Sequence, residues 1–363
     1  MGLIINLCLC LLLGLACYGT SINQGDYWFL GLFPLGTPFF LAGVLAFLLI
    51  WLFVKKIYLL PGLLTLILCY KPIAHIIPFR YTPGFSKEKD DKTLRVMSWN
   101  VEHFNITRYR EQPDVKQRMI DLVNEYQPDI ACFQEMVAGD SARGRINYTA
   151  EFTKKLKMKY YYYSYNPIFD FDFLHHFGII IFSKFPIIRK QTLECKPYTY
   201  NSTYQYVDIL KGSDTLRIMN IHLQSLRFTP ENKRYIQDPT QTGADDIKES
   251  KSILAKFRTS LIRRHRQADQ VRKTMDQSPY PIILCGDFND VPNSYSYRIV
   301  GKNMNNAFAE AGYGIGTTYS QIMPTLRIDN IFFDPKLEVK QFTRISKKMS
   351  DHYPIVADFI SRK

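Results

Sequence analysis

The chain changes character near residue 80. Before that point apolar residues run almost without interruption. Residues 3–19 read LIINLCLCLLLGLACYG, with Asn6 the only strongly polar side chain. Residues 37–54 read TPFFLAGVLAFLLIWLFV, with no charge, and residues 57–70 read IYLLPGLLTLILCY. A helix needs about 20 apolar residues to cross a bilayer. The first two runs approach that length, and the third reaches it by including Pro72 to Ile77. One such run would pass as a core helix, but three in succession, followed by ordinary sequence, predict three transmembrane helices. The first run lacks the positive flank of a signal peptide. The GLAC at 14–17 faintly resembles a lipoprotein cleavage site, with Gly14 a poor fit, so the run is taken as retained.

Residues 81–92 (YTPGFSKEKDDK) are a polar linker, and residues 93–363 follow as one globular domain. There strand-like and helical patterns alternate. LRVMSWNV predicts a strand and VKQRMIDLVNEY a helix, with Met119, Leu122 and Val123 on one face. DIACFQEM is a buried strand. YYYYSY, FGIIIFS and IIRKQTLEC are strand-like. YQYVDIL and TLRIMNIHL flank KGSD, a hairpin signal. Residues 244–277 form a long basic helix, and PIILCGDFN, RIDNIFF and YPIVADFI are further strands. Short strands, some in hairpins, with helices between them predict an α/β fold of two packed sheets covered by helices.

Composition sharpens the division. Residues 1–80 hold four basic residues and one acidic one, so +10 of the net charge of +13 falls in the remainder. A basic domain of that size favours anionic partners: nucleic acid, phosphorylated small molecules or lipid headgroups. Of the seven cysteines, Cys8, Cys10, Cys17 and Cys69 lie in the apolar front. Cys132, Cys195 and Cys285 have no C-x-x-C spacing, and predict neither a disulfide framework nor a zinc site. Lys55 and Lys56 lie between the second and third spans, while the 20–36 loop has no Lys or Arg. Positive loops stay in the cytoplasm. This places residues 93–363 on the extracytoplasmic, periplasmic side.

The candidate chemistry lies at strand ends. Asn100 follows a strand at WN, and Glu135 ends DIACFQE. His222 ends IMNIHL, and Asp287 and Asn289 end IILCGDFN. Asp329 opens DNIFF, and Asp351 and His352 precede YPIVADFI. Any one of these would pass as a cap or turn former. Eight in this order are hard to explain that way.

On the segments SWNVEHF, FQE, NIHLQS, CGDFNDVP, RIDNIFF and SDHYPIVADF, the chain resembles the endonuclease/exonuclease/phosphatase superfamily. That group includes pancreatic-type deoxyribonucleases, abasic-site endonucleases, neutral sphingomyelinases and inositol polyphosphate 5-phosphatases. The resemblance covers about 93 to 360. It implies a four-layer α/β sandwich of two mixed sheets flanked by helices, here preceded by transmembrane helices. It also implies a metal-dependent phosphoesterase that uses magnesium, with manganese an alternative.

A phosphodiester resists attack because its oxygens are anionic, and a hard cation offsets that charge. Magnesium takes oxygen ligands and keeps several waters, so one or two carboxylates suffice. Glu135 is the leading ligand, with Asn100 beside it and Asp351 as a further one. The attacking water must lose a proton, which a histidine oriented by a carboxylate accepts well. His352 is the candidate base, and the resemblance pairs it with Asp329. Asp287 would align the water, Asn289 would donate to the developing phosphorane, and His222 to a phosphate oxygen. The alternative, with Asp287 taking the proton and His352 stabilising charge, uses the same residues and stays open. Abasic-site enzymes lack a histidine at the His222 position, which argues against a repair role.

Other features have structural explanations of equal weight. The basic run KESKSILAKFRTSLIRRHRQADQVRK would contact nucleic acid or anionic lipid, or be a solvated helix face. His175 and His176 would line the cleft or a loop. The tyrosine run at 160–165 would stack bases or pack as a strand. Arg327 would meet a phosphate or make a structural pair. Substrate loops are expected near 139–148, 166–176 and 225–245. Substrates within reach of this pattern are nucleic acid, a phospholipid headgroup or a phosphorylated small molecule. A hypothesis of another class is a catalytically inactive, membrane-bound binding module. Such a protein would have lost a metal or base residue, and here every expected position is filled.

Overall fold

The structure, a computed structural model, describes residues 1–22, 27–80, 84–108, 110–139, 148–166, 175–194, 202–237, 244–319 and 321–362. Its apolar front folds as α1 (Gly2–Tyr18), a 3₁₀ stretch over Trp28–Gly36, α2 (Thr37–Val54), α3 (Leu59–Leu68) and α4 (Tyr70–Ile76). α1 and α2 run antiparallel, with Gly2 against the Trp51 ring and Gly43 against Leu9. The faces turned away from these contacts are also apolar: Leu7, Leu11, Leu49, Phe53 and Ile67 are exposed. An apolar surface on all sides suits lipid rather than water.

Among the described residues, Gly2–Ser21 and Trp28–Val54 are long and apolar enough to cross a membrane. The third expected span is not one straight helix, because α3 and α4 meet at a bend of 67°. Pro72 accounts for it. A proline ring excludes the carbonyl four residues earlier, here Leu68, and that carbonyl accepts the Tyr18 hydroxyl instead. The expected 20–36 loop also differs in part: its second half is the apolar 3₁₀ stretch that runs directly into α2.

Past the linker, the strands are β1 (Leu94–Asn100), β2 (Ile130–Gly139), β3 (Tyr160–Tyr165), β4 (His175–Ser183), β5 (Ile187–Glu194) and β6 (Thr203–Lys211). They continue with β7 (Asp214–His222), β8 (Ile282–Asp287), β9 (Asn305–Asn306), β10 (Asp329–Phe333), β11 (Leu337–Arg344) and β12 (Ile355–Ser361). The helices are α5 (Val115–Tyr126), α6 (Tyr148–Lys155), α7 (Pro230–Gln237), α8 (Ala244–Asp276), α9 (Tyr295–Val300) and α10 (Ala307–Ala311). The described strands make two six-stranded sheets, ordered β11-β12-β1-β2-β4-β3 and β5-β6-β7-β8-β10-β9. The predicted hairpin is β6–β7, paired from Thr203↔His222 to Lys211↔Asp214.

Three apolar layers follow from which faces the strands bury. Val96, Cys132, Ile181, Ile218, Ile283 and Cys285 fill the space between the sheets. Trp99, Met119, Phe133, Phe152 and Phe182 pack the first sheet against α5 and α6. Met219, Leu284, Ala268, Val271 and Tyr297 pack the second against α8 and α9. The architecture is therefore a four-layer sandwich of two mixed sheets between helices. Cys132 and Cys285 meet as buried free thiols, and no disulfide forms among the described residues; Cys195 lies outside them.

Each sheet contains one parallel pair, β1 with β2 and β7 with β8. Both pairs sit in mid-sheet, and the remaining pairings are antiparallel. The carboxyl ends of the two parallel pairs come to the same edge of the sandwich. That edge gathers the polar residues that the sequence singles out.

The apolar front is docked on the domain through specific bonds. Thr20 donates to the Asn293 carbonyl at 2.7 Å, and Arg298 donates to the Thr20 carbonyl at 2.6 Å. Arg327 is buried over the Phe308 ring and donates to the carbonyls of Ile76, His75 and Ile315. It caps the carboxyl end of α4, where a cation is favoured. Of the two roles expected for it, a phosphate contact or a structural pair, the structural one is seen, with carbonyls as its partners. Residues 84–92 also hold to the domain: Ser86 N–H donates to Gln341 at 2.9 Å, and Arg95 donates to the Lys87 carbonyl at 2.8 Å.

Candidate active site

Register explains why the site residues converge. His222 and Asp287, the last residues of the parallel strands β7 and β8, are direct neighbours. Asp329, the first residue of antiparallel β10, pairs with Asp287. β12 runs antiparallel to β1, so His352 just before it returns to the edge where Asn100 ends β1. Gly286 is required here. Its φ is 150°, and a Cβ would lie 2.0 Å from the Ile221 carbonyl oxygen of the adjoining strand.

Glu135 reaches the edge by a different device. The β2–β4 register shifts between Phe133 and Met136, and Glu135 sits at φ 53°. Such a bulge re-aims one side chain. A left-handed glutamate costs roughly 1 kcal/mol or more, and this strain is of the kind stored at functional positions. Asn289 is also left-handed, at φ 51°, which asparagine tolerates better. Its N–H donates to Asp287 Oδ1 at 2.7 Å and its Nδ2 to the Leu223 carbonyl at 3.0 Å, leaving one amide hydrogen.

The residues form one connected cluster. His352 Nδ1 lies 2.8 Å from Asp329 Oδ2, and its Nε2 is 3.7 Å from Asp287 Oδ2. Asn100 donates to Asp287 Oδ2 at 3.1 Å. His222 Nε2 lies 3.6 Å from Asp287 Oδ2 and 3.8 Å from Glu135 Oε1. Asp351 Oδ1 is 4.0 Å from His352 Nε2. Asn100, Glu135, Asp287, Asn289, Asp351 and His352 line one cavity of about 360 Å³, with Asp329 and His222 buried at its base.

Electrostatics sharpen the picture. Burial pushes the Glu135 carboxyl up and His222 partly offsets it, while Asp351 pushes it further. Burial also raises Asp287, against the pull of His352 and with Asp329 adding to it. Burial alone would lower the His352 imidazole, but Asp329 and Asp287 hold it well above its ordinary value.

Among the described residues, no lysine or arginine pairs with Glu135, Asp287 or Asp329; the basic side chains nearest them are imidazoles. Both ring nitrogens of His222 and Asp329 Oδ1 are buried without a hydrogen-bond partner. Buried groups of this kind want partners, so the donor set fits a hard cation and an anionic ligand. By distance alone, Asp287, Asp329 and His352 also form a potential metal-ligating trio, with ligand atoms within 4.8 Å of one another.

Several residues at the site carry no sequence expectation. His103 Nε2 approaches Glu135 Oε2 at 3.5 Å, and burial pushes its imidazole down to about 4. Glu102 accepts the Asp351 N–H at 3.0 Å. The Tyr319 ring stands edge-on to His352, 5.0 Å between centroids. Trp99 donates to the His352 carbonyl at 3.0 Å, and Ser350 to the Asn100 carbonyl at 2.8 Å. Glu102 and His103 lie inside SWNVEHF, Trp99 in the same segment and Ser350 in SDHYP, so their nearness to named residues was a usable signal. Tyr319 has none.

Other candidates resolve differently. His176 stacks on Tyr165 at 4.2 Å and does not line the cavity. The side chain of His175 lies outside the described residues, as do positions 140–147, 167–174 and 238–243 of the expected substrate loops. The tyrosine run is edge strand β3, with Tyr162 and Tyr163 packed against the cores. The basic run lies on α8, which is amphipathic: Leu261, Ala268 and Val271 are buried while Lys251, Arg258 and Arg266 are exposed.

Comparison with known proteins agrees with this geometry. A family model described as the Endonuclease/Exonuclease/phosphatase family matches residues 97–352, which contain all eight site residues. A second model, described as a domain of unknown function, matches residues 1–76. No curated protein matches the chain. Among solved structures, TDP2 of D. rerio in complex with a single-strand DNA product is similar at 16% identity and a TM-score of 0.52, covering 75% of this chain and 100% of that one. A mannosyl-6-phosphatase of Bacteroides thetaiotaomicron is similar at 17% identity and a TM-score of 0.51, covering 74% and 99%. The catalytic domain of human nocturnin is similar at 18% identity and a TM-score of 0.51, covering 75% and 94%. At these identities the likeness concerns the fold.

Proposed function

The chain belongs to the Endonuclease/Exonuclease/phosphatase family and is on that ground a phosphoester hydrolase; from this premise we propose that it is a membrane-anchored, magnesium-dependent phosphodiesterase or phosphatase. The observation that carries this reading is the buried His352–Asp329 pair at 2.8 Å, facing Asp287 across the cavity from Glu135. Two donor sets compete for a cation. The 2.8 Å contact already commits His352 Nδ1 and Asp329 Oδ2 to each other, so the trio they form with Asp287 is assigned to proton transfer. Glu135, Asn100 and Asp351 are assigned to the cation. When bound, magnesium supplies charge neutralisation to the phosphate oxygens and the leaving group.

The protein's own groups account for the rest. Asp329 fixes the tautomer of His352, with Nδ1–H donating to the carboxylate, so Nε2 faces the cavity and takes a proton from water. Asp287, within reach of Nε2, orients that water. His222 offers an N–H with no other acceptor to a phosphate oxygen, and Asn289 offers its remaining amide hydrogen. The raised values of Glu135 and Asp287 mark buried carboxylates whose negative charge a cation would stabilise.

The apolar helices are read as the anchor. Thr20, the Trp28–Gly36 stretch and Ile76 lie at the end that meets the domain, and Lys55 and Lys56 lie beyond the far end of α2. By the positive-inside tendency the lysines are cytoplasmic and the catalytic domain is on the opposite side.

The test is hydrolysis of a chromogenic p-nitrophenyl phosphodiester and monoester by the full chain in detergent micelles. EDTA should abolish turnover, and magnesium or manganese should restore it. Turnover that persists at full rate after chelation would overturn the metal assignment, and none under any metal would overturn the enzyme.

A further inference from the structure

The cavity that holds the catalytic residues does not end at them. It continues as a groove whose wall is apolar: Leu35, Phe228, Ile253, Phe257, Ile322 and Met323. Leu35 and Gly31, which also lines it, belong to Trp28–Val54, a stretch apolar enough to cross a membrane. The groove therefore has a phosphate-handling floor at one end and a membrane segment at the other.

The geometry points to a membrane lipid carrying a phosphoester as the substrate, entering sideways from the bilayer with its aliphatic chain along this groove. The inference rests on the phosphoesterase reading and names its substrate class. Three observations favour this occupant. The rings of Phe228 and Phe257 meet edge-to-face at 5.9 Å, closing the wall with hydrocarbon rather than offering open stacking faces. Of the three cations that line it, Arg227, Arg264 and Lys233, Arg264 is committed to the Gln224 carbonyl at 3.0 Å and to Asp290 at 3.4 Å, and Lys233 to Gln321 at 2.9 Å. A nucleic-acid path would present cations to a run of phosphates.

Among the described residues, a further row of positive charge lies outside the groove. A second cavity of about 660 Å³ is bordered by Trp28 together with Lys251, Arg258, Arg263 and Arg266 of α8. A tryptophan at the start of a span beside a row of cations is what the headgroup zone of an anionic bilayer selects. It seats α8, and with it the groove mouth, on the membrane surface.

The experiment uses the full chain in nanodiscs of phosphatidylcholine and phosphatidylglycerol. The substrates are two p-nitrophenyl phosphodiesters with the same leaving group, one carrying a methyl group and one a hexadecyl chain. Each methylene buried in an apolar groove is worth about fourfold in binding, so kcat/KM should favour the hexadecyl ester by at least about a hundredfold. Phe257→Ser and Leu35→Ser should each cut that ratio by about tenfold or more, and Phe257→Leu should keep it. A wild-type ratio near one, or an undiminished ratio in both serine variants, overturns the lipid assignment and leaves the phosphoesterase standing. No turnover of either ester with magnesium present overturns both.

Discussion

The floor and the wall of the same cleft are built on opposite principles. The floor consists of polar side chains at the ends of buried strands. Each is placed by register and tied to the next by contacts such as His352–Asp329 and Asn100–Asp287. The wall consists of apolar side chains from helix α8, the loops around Phe228 and Met323, and the segment that runs into the apolar helix α2. Its apolar side chains meet by packing, while bonds such as Ser260 to the Ser225 carbonyl and Lys256 to the Arg227 carbonyl hold the backbone behind them. A strand fixes a side chain by two covalent neighbours and a ladder on each side, so small errors are not tolerated. A helix face or loop holds it by contact, and can adjust. On the proposed reading the floor specifies which bond is cut, and the wall what the bond is attached to.

Variants can sharpen or break this comparison. The largest effects should come from the floor. His352→Ala and Glu135→Ala should each lower kcat by about a hundredfold or more on any ester, long-chained or short. Near-normal turnover by either would remove that residue from the machinery. If the loss fell only on the hexadecyl ester, floor and wall would not be separable. Next in size is the frame of the floor. Gly286→Ala places a methyl group against the Ile221 carbonyl at a backbone angle closed to alanine. It should cost about 3 kcal/mol or more of stability, seen as a lowered urea midpoint with both esters affected alike.

The smallest effect should come from a site in neither region. Glu151 sits between Lys116 and Lys155, both at 2.7 Å. Partial burial raises its carboxyl, but the two lysines outweigh this and hold it below the ordinary value. A carboxylate whose folded value is depressed stabilises the protein above its unfolded value, and loses that contribution as pH falls through the folded value. Lys116→Met should therefore cost about 0.5 kcal/mol or less at neutral pH and nothing measurable below about pH 3, with kinetics unchanged. A change in turnover would mean that the surface of α6 communicates with the floor.

The same contrast decides what could be read from the sequence. The eight floor residues were legible because strand ends and local segments such as GDFN and SDH carry type and spacing together. The sandwich was legible because each buried strand is a short apolar run. The stitches within those segments, Trp99 and Ser350, act through carbonyls and leave no pattern of their own. Tyr319 comes from a loop. The wall was illegible for a physical reason: Ile253 and Phe257 on α8 look like core positions, and Leu35 looks like any residue of a span. Only the fold brings them to one groove. For Arg327 the sequence left a phosphate contact and a structural pair open, and only the fold shows its side chain running back to the end of α4.

The bonds that join Arg327 to the end of α4 and Thr20 to Asn293 have one more consequence. A catalytic head on a slack tether samples a hemisphere of solution and meets dissolved molecules by three-dimensional diffusion. On the proposed anchoring this head would be bolted down, with its opening at one height and one tilt. Its encounters would then be counted per unit area of the sheet it sits on. Diluting its target with inert amphiphile at constant bulk concentration would slow it, and diluting the whole suspension with buffer would not.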